Sequence, residues 1–259
     1  MDVYWLEQSV DDVPLEDWWL SGNERTRLAG LRFPKRRADW RLGRWTAKCA
    51  LAAYLEPAGE CAPLAEWELR PGPLGAPEAF FHQRPMALAI SLSHSHGRAL
   101  CAVAPPGAEI GCDLEAVEPR SAAFLADYFT VEERLLADRA PPANRDRLVT
   151  LLWSAKESAL KALGCGLRLD TRSVHGVPTG FGAAPAGQWR ALSVATGATT
   201  YGGWWREARH IVRTVVAEPP PLRLLALRAD PALAAAPDGA AHLWGSHPAA
   251  ACCDARGEA

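Results

Sequence analysis

The sequence predicts an α+β protein of two small halves, each an antiparallel sheet packed on one long helix. Each half of the 259-residue chain contains one long helical pattern of apolar residues. The strand-like segments follow one another as hairpins and do not alternate with helices, which argues against a parallel doubly wound sheet. The Pro-Pro-Gly-Ala run at 105–108 is where we place the boundary between the halves.

The first half is predicted to span residues 1–105. Arg37, Arg41, Arg44 and Lys48 recur every three to four residues in its long helix and so form a basic stripe on one side. Its predicted elements are a strand at 3–8, a helical segment at 15–31, the long helix at 33–55, a strand at 65–70, a loop at 71–77 and a hairpin of strands at 86–95 and 99–104.

The second half is predicted to span residues 106–218 and to begin with an acidic strand. Gly164 suits the left-handed position after its longest helix. An Ala- and Pro-rich tail at 219–259 is predicted to be loosely ordered. The elements of this half are strands at 109–115, 171–177, 189–194, 201–205 and 210–217, and helices at 121–128, 131–137 and 145–163.

Composition narrows the class of protein. With 49% hydrophobic and 22% charged residues the chain resembles an ordinary globular protein, and a net charge of -2 gives no general attraction to nucleic acid or membrane. No apolar run reaches the roughly 18 residues that span a bilayer. The acidic start and the odd number of cysteines, seven, predict a cytoplasmic protein with reduced thiols.

The run Glu109 to Glu115, EIGCDLE, places two acids side by side. Apolar residues at every second position predict a half-buried strand, with Asp113 and Glu115 together on the opposite face. Residues two apart on a strand are separated by roughly 6.5–7 Å. These carboxylates either converge on one small, hard cation or lie on the solvent face of an edge strand, and this run alone leaves both readings open.

The long helix of the second half adds a third carboxylate. Within LLWSAKESALKAL, Glu157 and Lys161 are four residues apart and share a helix face, which a surface salt bridge would explain. Three carboxylates from two elements, without a His or Cys, also describe an oxygen-rich site that suits magnesium. Lys161 would then neutralise a phosphate carried by the same ion.

The first half offers groups that bind phosphate. Hydroxyls and imidazoles in SLSHSHG fall where a predicted strand ends, and the arginine stripe supplies fixed positive charge. Taken alone, His94 is better explained as a structural histidine than as a ligand contact, and the stripe as a solvated helix face. His82, His96 and His175 receive no functional assignment.

Taken together, these blocks resemble the Sfp-type 4′-phosphopantetheinyl transferases. ISLSHS, then IGCDLE, then WSAKESALKALGCGL about forty residues later match that family in order, spacing and residue type. The last block is filled completely by Trp153, Ser154, Lys156, Glu157 and Lys161.

The resemblance implies a fold and a reaction. Coenzyme A would bind in the cleft between two similar halves related by a pseudo-two-fold axis. Its phosphopantetheine arm would pass to a serine of an apo acyl or peptidyl carrier protein, with release of 3′,5′-ADP. A single chain with two matched halves would be a monomer.

The resemblance also implies residue roles. Asp113, Glu115 and Glu157 would be the Mg²⁺ ligands, and Lys161 the phosphate contact. Glu157, directly or through a water on the metal, is the candidate base. The coenzyme A contacts would be His94 at the 3′-phosphate with Ser93 beside it, Arg41 at the nucleotide and, as a further candidate, Arg25.

One position departs from the family pattern. The family's loop before the Ser-His-Ser strand reads Gly, a basic residue, Pro, and here it is Gly75-Ala76-Pro77. The missing cation would affect coenzyme A affinity unless Arg70 or Arg84 replaces it. The alternatives are a magnesium-dependent phosphoesterase that acts on coenzyme A and a non-catalytic protein that binds coenzyme A or a carrier.

Overall fold

Each of two main sheets packs against one long helix in the computed structural model, which describes residues 1–55, 62–181, 187–197 and 199–234. The first part of the chain contains β1 Asp2–Ser9, α1 Gly22–Ala29, α2 Pro34–Leu55, β2 Trp67–Pro71, β3 Pro77–Phe81, β4 Arg84–Pro85, β5 Ala89–Ser95 and β6 Arg98–Ala104. The second contains β7 Glu109–Ala116, α3 Ala122–Tyr128, α4 Val131–Arg139, α5 Pro142–Ala162, β8 Val174–Pro178, β9 Arg190–Thr196, β10 Thr199–Ala208 and β11 Ile211–Glu218, and β12 Arg223–Ala226 follows.

The strand orders confirm the predicted α+β class. One sheet has the order β12-β1-β6-β5, and the other the order β7-β11-β10-β9-β8. All pairings within them are antiparallel except that of β12 with β1. In each half the first strand pairs with the last strand of its hairpins, β1 with β6 and β7 with β11, which gives the halves their likeness.

The helical segment predicted from residue 15 is shorter than expected. α1 begins after Ser21, whose side-chain oxygen accepts from the amide of Glu24 at 3.2 Å, while the Glu24 carboxylate accepts from the amide of Ser21 at 3.1 Å. This reciprocal capping fixes the helix start at the serine.

The predicted strand at 65–70 corresponds to β2, the predicted loop at 71–77 contains the turn after it, and the unpredicted strands β3 and β4 complete a small third sheet of order β2-β3-β4. Gly75, with a φ of 94°, lies in the turn, and β3 begins at Pro77. The left-handed backbone at this point explains the glycine.

The prediction of a loosely ordered tail is wrong at its start. β12 pairs in parallel with β1, in register from Asp2 opposite Arg223 to Trp5 opposite Ala226. Arg223 also forms an ion pair with Asp2 at 2.5 Å. Residues 235–259 of the predicted tail lie outside the described residues, and the division into 1–105 and 106–218 stays a prediction.

The core of each half lies between its helix and its sheet. In the first half Trp19, Trp45 and Trp67 are almost completely buried around α2. In the second, α5 packs on Tyr201 and Trp205. None of the described helices has the length and apolar character needed to cross a membrane.

The two halves meet where β5 lies beside β7. The Ser91 hydroxyl accepts from the backbone amide of Cys112 at 3.0 Å, so a side chain of one sheet satisfies the backbone of the other. On β1, the carboxylate of Glu7, whose side chain is 9% exposed, accepts two hydrogen bonds of 2.6 Å from Arg213 of β11. These contacts hold the halves together along the cleft.

Candidate active site

The strand β7 is covered on both faces, which corrects the expectation of a half-buried strand. A Cβ on Gly111 would lie 1.8 Å from the carbonyl oxygen of Ser158, so α5 lies directly against this strand. Asp113, two residues further along the same face, is 3% exposed. The face of β7 that carries Asp113 is therefore covered by α5, the helix that carries Glu157 and Lys161.

Asp113 lies at the centre of the site. Its Oδ1 accepts a hydrogen bond from the Ser93 hydroxyl at 2.8 Å and another from Lys161 Nζ at 2.8 Å. Lys161 also donates to the carbonyl oxygen of Cys112 at 3.1 Å. Strands β5 and β7 and helix α5, which carry the three predicted sequence blocks, thus converge at one carboxylate.

Charge explains the protonation of Lys161. Burial alone would lower the pKa of this amine, but the adjacent Asp113 carboxylate, together with Cys112 and Glu157, raises the pKa above its usual value. Lys161 is therefore a fixed cation at neutral pH.

Glu115 is held by two donors that the sequence did not single out for it. Trp153 Nε1 donates to one carboxylate oxygen at 3.1 Å, and Arg120 donates to the other at 3.2 Å. Burial and the charge of Asp113 nevertheless raise the pKa of Glu115. The Trp153 of the sequence block therefore orients an acid.

Glu157 has the most strongly shifted pKa among the acids of the cluster. Burial is the main cause, the charges of Asp113 and Glu115 add to it, and Lys161 opposes it, so that the pKa rises to about 7. A carboxyl group with such a pKa can accept a proton near neutral pH.

The carboxylates can be tested for their fit to a cation. Within the described ranges, no three His, Cys, Asp or Glu side chains already form a metal-ligand group. The buried Oδ2 of Asp113, however, has no hydrogen-bond partner among the described residues, and burial, with the charge of Asp113 added to it, raises the pKa values of Glu115 and Glu157. An all-oxygen donor set with excess negative charge fits Mg²⁺, so the three ligands stay a prediction that the site supports.

His94 lies apart from this cluster, at an open cavity of about 490 Å³. Burial, together with Lys161 and Arg44, lowers the pKa of His94, and Asp39 only partly opposes this. The other lining residues are Phe33, Lys35, Arg36, Asp39 and Trp40. Sequence reasoning missed Lys35 and Arg36, although both directly precede Arg37, where the predicted stripe began.

The arginine stripe is bound into the fold and is not a free phosphate-binding surface. Arg41 forms an ion pair with Asp17 at 2.8 Å and donates to the carbonyl oxygens of Pro14 and Leu15, so its assignment to the nucleotide stays a prediction with these competing partners. Lys48 is completely buried. The guanidinium groups of Arg37 and Arg25 donate to backbone carbonyls of Leu28 and Leu20.

Ala76 lies in a cavity of about 240 Å³ that also includes Lys161. Its neighbours in the lining are mainly apolar or glycine, so the family's basic residue is replaced by a neutral wall. The first suggested replacement, Arg70, forms an ion pair with Glu68 at 2.9 Å and packs on the Phe80 ring. The second, Arg84, lies exposed on β4.

Similarity to known proteins agrees with this site. Residues 109–192, which include β7 and α5, match the family model of the 4′-phosphopantetheinyl transferase superfamily. Over these residues the chain is similar to the members of this superfamily.

A curated relative, 4′-phosphopantetheinyl transferase HetI from Nostoc sp. (strain PCC 7120 / SAG 25.82 / UTEX 2576), is 31% identical over 165 residues, which are 62% of this chain and 66% of HetI. The matched region thus spans just under two thirds of that relative's length.

Two solved structures are also similar. Holo-(acyl-carrier-protein) synthase from Bacillus anthracis str. Ames, in complex with CoA (3′,5′-ADP), is 21% identical with a TM-score of 0.32, over 40% of this chain and 93% of that one. Thermotoga maritima holo-[acyl-carrier-protein] synthase (AcpS) is 20% identical with a TM-score of 0.34, over 49% of this chain and 74% of that one. Both likenesses cover less than half of this chain.

Proposed function

We propose that this protein transfers the 4′-phosphopantetheine arm of coenzyme A to a serine of an apo acyl or peptidyl carrier protein and releases 3′,5′-ADP. The observation that carries this proposal is the hydrogen-bonded chain from Ser93 through Asp113 to Lys161. It joins groups suited to phosphate, cation and proton transfer at the junction of the two halves. Similarity to the 4′-phosphopantetheinyl transferase superfamily over residues 109–192, and to HetI, supports the same reaction.

The reaction is a phosphoryl-type transfer. The carrier serine oxygen forms a bond to the phosphorus next to pantetheine, and the bond from that phosphorus to the bridging oxygen breaks. The electron pair of the broken bond leaves with 3′,5′-ADP. The protein must therefore position the serine in line and stabilise charge on oxygen.

Glu157 takes the proton of the attacking serine. Its pKa of about 7 keeps a useful fraction ionised at neutral pH while leaving the carboxylate basic enough to accept a proton. Lys161, held as a cation by Asp113, stabilises the negative charge that develops on the departing phosphate.

Asp113, Glu115 and Glu157 would hold Mg²⁺. When bound, the ion supplies Lewis acidity and neutralises charge on the pyrophosphate. The Oδ2 of Asp113, which has no partner in the part of the chain that the structure describes, and the raised pKa values of the other two acids support this assignment.

The nucleotide end of coenzyme A belongs at the His94 cavity. His94, Lys35 and Arg36 provide positive or protonatable groups for the 3′-phosphate, beside the aromatic rings of Phe33 and Trp40. Ser93 is the neighbour that links this end to Asp113.

The proposed enzyme is a cytoplasmic monomer. A single chain contains both halves that line the site, so a second copy need not complete it. The odd number of cysteines supports the compartment.

The test is the intact mass of purified apo carrier proteins after incubation with this protein, coenzyme A and Mg²⁺. We expect a gain of one phosphopantetheine that a Ser→Ala change in the carrier abolishes and that chelation of the metal prevents. No gain on fatty-acid, polyketide and peptide-synthetase carriers would overturn the proposal. Release of 4′-phosphopantetheine in those tubes would then indicate the phosphoesterase, and intact coenzyme A the binding protein.

A further inference from the structure

Two buried lysines form matching contacts in the two halves. In the second half Lys156 on α5 is completely buried and lies 2.9 Å from the Glu133 carboxylate. It donates to the carbonyl oxygens of Thr171 at 2.7 Å and Val174 at 2.6 Å, and lies 5.6 Å from the centre of the Phe129 ring. All three of its donors are thus used, so Lys156 has none left for a substrate.

The first half repeats this arrangement. Lys48 on α2 is completely buried and lies 2.5 Å from the Glu24 carboxylate. It donates to the carbonyl oxygens of Trp19 at 2.9 Å and Leu64 at 3.0 Å, and lies 5.7 Å from the Trp19 ring.

The sequences around the two lysines are also alike. α2 reads WTAKCALAAYL from Trp45, and α5 with the residue that follows it reads WSAKESALKAL from Trp153. Each glutamate is the third residue of the preceding short helix and forms a capping box with the residue before that helix, Ser21 in one half and Thr130 in the other. Each contact therefore ties a long helix to the start of a short one.

The two helices carry different parts of the candidate site. Glu157, next to Lys156, and Lys161 are on α5. The His94 cavity, by contrast, is lined by α2 and by Phe33 just before it, and a Cβ on Gly43 of α2 would lie 3.2 Å from Leu92 and 3.8 Å from His94. A shift of α5 would therefore move Glu157 and Lys161. A shift of α2 would move Lys35, Arg36, Asp39 and Trp40, the side of the His94 cavity that we call the coenzyme A wall.

We propose that the Lys156–Glu133 and Lys48–Glu24 pairs are equivalent ion pairs, here called locks, each of which fixes the position of its long helix. The two locks serve different parts of the candidate site. Lys156 is a positioning residue for Glu157 and Lys161, and Lys48 is a positioning residue for the coenzyme A wall. The kinetic part rests on the proposed function, whereas the binding part requires only that the protein bind coenzyme A.

The test replaces each pair by a neutral one of similar shape, Lys156→Met with Glu133→Gln, and Lys48→Met with Glu24→Gln. Changing both partners avoids an uncompensated buried charge, and glutamine keeps the helix cap. Each pair serves as the control for the other, because the environments match. Circular dichroism and urea unfolding establish that the variants fold, and the single Glu133→Gln and Glu24→Gln variants replace any pair that does not.

The measurements are kcat for carrier modification at saturating coenzyme A and the Kd of coenzyme A by calorimetry without a carrier. We expect the α5 pair to lower kcat at least tenfold with a Kd within twofold of wild type. We expect the α2 pair to weaken coenzyme A at least fivefold with kcat within threefold. Equal effects of the two pairs, or a loss of stability alone, would overturn the inference.

Wild-type transfer, measured in parallel, separates this inference from the proposed function. If the wild-type protein modifies no carrier, the proposed function fails. The locks are then judged on the Kd of coenzyme A, where a change confined to the α2 pair supports them and an equal Kd in both pairs overturns them.

Discussion

Lys161 Nζ lies 2.8 Å from Asp113 Oδ1 and 3.1 Å from the carbonyl oxygen of Cys112, so one amine of α5 bonds both the side chain and the backbone of β7. The same Asp113 oxygen accepts from Ser93 of the other half. Helix α5 and strands β7 and β5 are therefore linked through the single carboxylate of Asp113. We expect the negative charge of that carboxylate to matter more for activity than its shape.

Replacement of Asp113 by Asn tests that charge. The amide oxygen still accepts from Ser93 and Lys161, but the negative charge that pairs with Lys161 and that we propose to hold Mg²⁺ is lost. We expect kcat/KM for carrier modification to fall by about 10²–10³, the usual loss for a group that stabilises charge in the transition state. Full activity of Asp113→Asn at saturating Mg²⁺ would show that the metal assignment is wrong.

Glu118→Gln is the matched control for Asp113→Asn. Glu118 is an exposed carboxylate of the same half that pairs with His96 at 2.9 Å on the surface. Its removal should leave kcat/KM within twofold of wild type, because a surface ion pair contributes little.

The pH dependence of transfer should follow the ionisation of the Glu157 carboxyl group. The base must be ionised, and its pKa is about 7, so kcat/KM at low Mg²⁺ should rise from pH 5.5 to 7 and level off above pH 8. A cation favours the ionised form, so saturating Mg²⁺ should move this limb to lower pH.

The Glu157→Gln variant should lose that limb together with about 10²–10⁴ of the rate. Stopped-flow or discontinuous mass assays across pH would measure both. An unchanged limb in Glu157→Gln would assign the base to another residue.

His94 should make coenzyme A binding depend on pH in the opposite sense. The pKa of free His94 lies below its ordinary value of 6.5, so the ring is neutral at pH 7. A phosphate favours the protonated ring, so binding takes up a proton and the affinity should fall as pH rises from 6 to 8. Calorimetry in buffers of different ionisation enthalpy would count that proton.

The His94→Ala variant should bind coenzyme A about tenfold more weakly at pH 6, as expected for the loss of a charge-assisted hydrogen bond. Dephospho-coenzyme A, which lacks the 3′-phosphate, is the matched ligand, and its Kd should not respond to the substitution. A parallel weakening of both ligands would place the 3′-phosphate elsewhere.

Gly111 should be irreplaceable for packing. A Cβ there would overlap the carbonyl oxygen of Ser158 at 1.8 Å, so Gly111→Ala must push α5 away from β7. We expect a loss of about 2–4 kcal/mol in the free energy of unfolding, measured with urea. Gly22→Ala, where a Cβ meets nothing within 4 Å, is the control and should be neutral.

Local patterns in the sequence predicted most of the fold. The alternation of Ile110, Cys112 and Leu114 predicted β7, and the helical spacing in α2 and α5 predicted both long helices. Such patterns depend on neighbours within one element. They were therefore reliable for the existence of elements and less so for the start of α1.

What covers an element is not a local property. The local sequence could not assign the Asp113 face of β7 to solvent or to a site, because nothing in it shows that α5 packs on that face. Likewise the spacing of Arg37, Arg41 and Lys48 showed that they share one side of α2. It could not show that backbone carbonyl oxygens and Glu24 already pair with these cations. The pairing of Asp113 with Lys161 needed both elements in place.

The parallel pairing of β12 with β1 has a consequence for how the chain is made. A ribosome synthesises β1 first, yet one edge of that strand stays unpaired until residues 223–226 have emerged. The first sheet therefore cannot be completed during translation of its own half, and its closure is among the most sequence-distant contacts of the molecule. The first strand to be synthesised is thus fully paired only after nearly all of the described residues have left the ribosome.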